Sequence, residues 1–204
     1  MNSRMGAGAS KPSDLLVTGF SVAAVGLVVF LTVNDQVSVS GAAFVVLAGL
    51  IIAGLLLPAA GMFWLRRTLF PVRRDARRGS VLQGLGMVGL FLGLLPVVAT
   101  HSLSVYFVSS GILTVSGASA LAGAVLLGRD VAEAGVWRTR DAWILFLAIV
   151  MIFSGVGLIV GSNIANEYWI SDLTKTVYID VGASISACGS VLAAHSFFVL
   201  RSSS

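Results

Sequence analysis

Residues 15–33 read LLVTGFSVAAVGLVVFLTV, nineteen consecutive residues without a charge. At about 1.5 Å of rise per residue, such a run spans roughly 28 Å as a helix, close to the thickness of a bilayer's hydrocarbon core. It exceeds the apolar region of a secretory signal, about 7–15 residues, and ends in Asn34-Asp35-Gln36 rather than a small-x-small cleavage site. It therefore reads as a retained membrane helix.

The same pattern recurs along the chain. Further apolar runs cover about 41–65, 81–100, 105–127, 142–161 and 177–200, and all but the last, which holds Asp180, are uncharged. Each is near the twenty or so residues a spanning helix needs, and none shows the period-two alternation of a membrane strand. The expected fold is an all-α integral membrane protein, a bundle of six transmembrane helices. Residues 1–13 are small and polar and read as a disordered tail, 14–200 as the membrane domain, and 201–204 as a second short tail. Only His101-Ser102-Leu103-Ser104 separates the third and fourth runs, which makes them a tight hairpin.

Composition supports this class. Of 204 residues, 57% are hydrophobic and only 11% charged, with a mean hydropathy of +0.97. One core in a chain this size cannot hide that much apolar surface from water. A soluble enzyme and a disordered chain are both excluded. The single cysteine, Cys188, permits no intrachain disulfide. The net charge of +4 would suggest nucleic acid in a soluble chain; here membrane topology accounts for it, and no nucleic-acid partner is expected.

Charge sets the orientation. Arg4, Lys11, Arg66, Arg67, Arg73, Arg74, Arg77, Arg78, Arg129, Arg138, Arg140 and Arg201 fall on one side of the six spans, and Lys175 alone on the other. By the positive-inside bias both termini face the cytoplasm, most simply at the cell membrane, and the chain forms three hairpins that open outward. Trp64, Trp137 and Trp143 then mark the inner interface, and Tyr106, Tyr168, Trp169 and Tyr178 the outer one.

The chemistry-bearing motifs are sparse. Gly84, Gly86 and Gly89 fit the spacing of a dinucleotide fingerprint, but they lie inside a membrane run with no strand before them. Close helix packing explains them better, and Gly89-x-x-x-Gly93 extends the pattern. Gly157-x-x-x-Gly161 and the series Gly182, Ser186, Ser190 present similar small faces, which let helix backbones approach closely in lipid. His101 and His195 lie at opposite depths, so they cannot ligate one haem. No HExxH or Glu-x-x-His pattern stands within a span. No catalytic residue, metal or cofactor is expected. Asp14 and Asp141 stand where a helix dipole favours a carboxylate. Asp180 is the one acidic residue within a span. With Ser109, Thr114 and Ser116 it could line a polar path, and Ser184, Ser186, Ser190 and Ser196 add hydroxyls on the sixth helix.

The sharpest local feature is Arg66–Arg78, RRTLFPVRRDARR, with Arg66, Arg67, Arg73, Arg74, Arg77 and Arg78 beside a membrane helix. It suits anionic lipid headgroups or an acidic partner. The expected function is a non-catalytic scaffold, accessory subunit or self-associating bundle in contact with other membrane subunits. The alternative is a channel or facilitator for a small solute, lined by hydroxyls of the fourth and sixth helices.

Overall fold

The computed structural model describes residues 6–34, 41–68, 74–99, 103–135, 137–166 and 171–202. Arg73, His101, Asp35, Glu167, Tyr168 and Trp169, the first five residues and the last two lie outside them. The described residues form six helices: α1 (Gly6–Asn34), α2 (Gly41–Thr68), α3 (Arg74–Ala99), α4 (Leu103–Glu133), α5 (Thr139–Asn166) and α6 (Asp172–Ser202). No strand occurs among the described residues. All six are long and apolar enough to cross a membrane.

The helices are longer than the apolar runs, because the charged and polar flanks are helical as well. α1 begins at Gly6, so residues 6–13, read as a tail, are its first turns, and Pro12 is fully buried. Asp14 consequently lies inside α1 and not at its start. α3 gains Arg74–Ser80, whose N-terminus is capped from another helix: Ala76 N–H donates to Asp130 Oδ2 of α4 at 2.7 Å. α4 extends through Arg129 and Glu133, an exposed ion pair one turn apart at 2.8 Å. It ends at Gly135, whose φ of 72° is the left-handed conformation that a C′ glycine adopts at low cost. At the start of α5 the Asp141 carboxylate reaches back one turn and accepts the Arg138 N–H at 3.2 Å, the return half of a capping box. Ser171 caps α6 by accepting the Thr174 N–H at 3.3 Å.

The six helices form a closed ring in chain order: each packs on its neighbours in sequence, and α6 returns to α1. Contact is most extensive within the hairpins α1–α2, α3–α4 and α5–α6, and least extensive at the junctions α2–α3 and α4–α5. The ring is filled. One apolar cluster draws on every helix, including Leu16, Phe20, Met62, Leu65, Met87, Leu90, Leu127, Leu145, Ile149 and Phe197. Phe20 of α1 stacks on Phe197 of α6 with centroids 6.0 Å apart, and Trp137 tilts onto the same ring at 5.8 Å. Trp137 is therefore a core residue (3% exposed), as is Tyr106, and not part of an interfacial belt; Trp64, Trp143 and Tyr178 do face outward.

The outside is as apolar as the inside. Val115 is 72% exposed, and Phe107, Val108, Leu92 and Val191 each more than half. Water would not tolerate so continuous an apolar exterior, whereas lipid does. The chain is a polytopic membrane protein in contact with the bilayer.

Candidate functional site

In lipid, helices associate where small residues admit a neighbour's backbone. Three seams use this device. At α3–α4, Gly79, Gly86 and Gly93 recur every seven residues along one face; a Cβ at Gly79 would sit 2.6 Å from Leu127 N, and one at Gly86 2.7 Å from Ser116 O. Ser119 Oγ adds a bond to Leu82 O across this seam at 2.9 Å. At α1–α2, Gly54 lies on the Ala23 backbone and Gly19 against the Pro58 ring. At α5–α6, Gly155 and Gly182 face each other, and Ser186 Oγ donates to Ile152 O at 3.1 Å.

The residues expected to mediate packing divide accordingly. Gly89 rests on Ser116 and Gly93 on Leu113, both across the α3–α4 seam. Gly182, Ser186 and Ser190 are buried on α6. The Gly84-Gly86-Gly89 series lies in mid-helix with no turn: Gly84 meets Phe63 of α2, and the other two meet α4. Gly157 and Gly161 do otherwise. Both are exposed, and a Cβ at either would meet nothing within 4 Å. They do not pack within this chain. They face a groove of about 320 Å³ at the α4–α5 junction, where Ser110, Thr114, Gly117 and Ala118 of α4 oppose Ser154, Gly157 and Gly161 of α5.

The polar residues do not share a lumen. Ser109 and Ser116 lie on the buried face of α4, whereas Thr114 points outward. Asp180 is partly buried on α6, and α5 stands between α4 and α6, which form none of the main packed interfaces. Most of the hydroxyls turn back on their own helices: Thr114 donates to Ser110 O, Ser116 to Ile112 O, Ser190 to Ser186 O and Ser196 to Leu192 O. Ser184 and His195 lie on the exposed outside of α6. Among the buried polar residues that the sequence reading does not single out are Asp130 and Gln83. Asp130, 8% exposed, caps α3, and Gln83 is wholly buried with neither amide atom bonded.

The arginines gather at one end of the ring. Arg66 and Arg67 close α2, and Arg74, Arg77 and Arg78 open α3; all but the partly buried Arg77 are exposed. Asp75 pairs with Arg78 at 3.8 Å. These side chains line two adjoining hollows between α2 and α3, one reaching Phe63 and the other Val81, Leu82 and Leu126 of α4. The concave features of the described residues thus include a small uncharged groove at α4–α5, a second α4–α5 hollow of about 360 Å³ bordered by Arg129, Glu133, Trp143 and Phe146, and a basic one at α2–α3, each at a junction between hairpins. No protein-family model matches the chain, and no curated protein or solved structure is similar to it at a significance that carries an argument.

Proposed function

We propose that the protein is a non-catalytic subunit of a membrane assembly, and that its α4–α5 groove receives a transmembrane helix from another chain, a second copy included. The observation that carries this reading is the exposure of Gly157 and Gly161. Every other seam of small residues described above is occupied by a neighbouring helix. This pair also stands at helical spacing, yet a Cβ at either position would meet nothing within 4 Å among the described residues. A helix laid there would gain the close backbone contact that drives association in lipid. The apolar filling of the ring and the back-bonded hydroxyls favour a packed bundle over a facilitator lined by the serines of α4 and α6. The arginine-bearing end faces the cytoplasm in this reading, with both termini on that side.

Photo-crosslinking in native membranes tests it. A photoreactive side chain at Ser154, inside the groove, should give a discrete protein–protein adduct that Gly157→Leu abolishes. The same group at Val191, on the exposed face of α6, should give lipid adducts only. Lipid adducts at both positions would refute the docking role.

A further inference from the structure

We infer that the adjoining hollows between α2 and α3 hold one anionic phospholipid, its phosphate among Arg66, Arg74 and Arg77 and an acyl chain along Phe63, Val81 and Leu82. The inference is independent of the α4–α5 groove. Two adjoining spaces of about 640 and 510 Å³ have Arg66 and Arg77 in the walls of both. Their polar part comes from two helices. α2 ends at Thr68 and α3 begins at Arg74, so the short connection keeps Arg66 and Arg67 beside the first turns of α3.

Their apolar part follows from helix periodicity. Arg77 and Val81, and Arg78 and Leu82, are each four residues apart and therefore lie one above the other on α3. The stripe is cationic where the chain leaves the hydrocarbon and aliphatic one turn deeper. Phe63 stands in the same relation to Arg67 on α2. Membrane topology asks only for positive charge near a helix end; it does not require guanidinium groups from two helices to line one hollow above an apolar floor. Among bilayer components an anionic phospholipid matches both halves. Planar guanidinium forks suit phosphate oxygens, and the floor suits a chain. Asp75 engages Arg78 at 3.8 Å on the exposed rim.

Native mass spectrometry of the detergent-solubilised full chain, titrated with phosphatidylglycerol, tests the site. Phosphatidylcholine with identical chains and glycerol 3-phosphate serve as probes of charge and of chain. One phosphatidylglycerol should be retained in preference to phosphatidylcholine, and glycerol 3-phosphate should not displace it. Arg66→Gln with Arg74→Gln should weaken retention about tenfold or more, whereas Arg138→Gln with Arg140→Gln, an equal loss of exposed charge elsewhere, should not. Val81→Trp, which fills the floor without altering charge, should weaken retention on its own. Equal loss from both arginine pairs would overturn the site in favour of diffuse charge. So would undiminished binding in Val81→Trp, retention of phosphatidylcholine to the same degree, or displacement by glycerol 3-phosphate.

Discussion

Replacing Ser186 by leucine should destabilise the bundle, and the structure gives the size of the effect. Ser186 is 1% exposed on α6, and its Oγ donates to Ile152 O of α5 at 3.1 Å. The backbones touch here: a Cβ at Gly155 would lie 2.9 Å from Ser186 N. Leucine removes the interhelical bond, worth about 0.6 kcal/mol on average and at most about 1.7 in membrane bundles. It also forces branched carbon into a closed seam, and overpacking of that kind costs about 1–3 kcal/mol. The sum is about 2–4 kcal/mol, a change in the unfolding constant of between roughly thirtyfold and several hundredfold. Reversible unfolding in mixed micelles reads it. Ser186→Ala should lose only the bond, and Ser184→Leu, on the exposed face of the same helix, should be near neutral. If Ser186→Leu were as stable as Ser184→Leu, the α5–α6 seam would not be closely packed. If it also blocked solute flux into proteoliposomes, Ser186 would line a conduit and the packing account would fail.

Orientation can be read from cysteines placed at exposed positions in a Cys188→Ser background: Ser171→Cys should react with an impermeant maleimide from outside, and Ala134→Cys only after permeabilisation, with the reverse pattern inverting the topology. Asp130→Ala removes the carboxylate that caps α3 and should cost about 0.5–2 kcal/mol in the same unfolding assay, with no loss if the cap is dispensable. Gln83→Met replaces a buried amide that has no hydrogen-bond partner among the described residues by an apolar chain of similar length, and should stabilise the fold by about 1 kcal/mol or more. A loss of the same size would mean that the amide serves a bound polar group.

The spans are legible because lipid imposes a length of nearly uncharged chain, and six such runs stand out with Asp180 their one acidic residue. Their ends were less so. Hydropathy reports where hydrocarbon is, not where the helix stops, so Arg74–Ser80, Arg129–Glu133 and residues 6–13 were read as loop or tail. Ser171, which caps α6, lies six residues before the apolar run that marks the sixth span, so hydropathy does not reach it. The order of helices around the ring left no trace, since each helix is apolar on every side and no polar face singles out its neighbours. Glycine spacing was informative but ambiguous. Gly157 and Gly161 attract attention as a four-residue pair, yet the residue that meets Gly182 is Gly155. Two positions on an α-helix turn the side chain by about 200°, so one face of α5 packs on α6 and the opposite one is left open. The seven-residue recurrence of Gly79, Gly86 and Gly93 was present in the sequence and marks the α3–α4 seam. Asp130, beside Arg129 at the end of a span, resembled an ordinary loop charge; only the fold brings α3 to it.

The central claim is that the α4–α5 groove is a docking surface and not part of the bundle's own packing. Gly157→Leu and Gly161→Leu separate the two, because a Cβ at either position meets nothing within 4 Å among the described residues and a leucine there would extend into the groove. The measurement is the particle mass in mild detergent, taken beside the unfolding midpoint of the same variants. The account predicts an unchanged midpoint and a particle smaller than the wild-type assembly by the docked chain. A lowered midpoint with unchanged particle mass would contradict it.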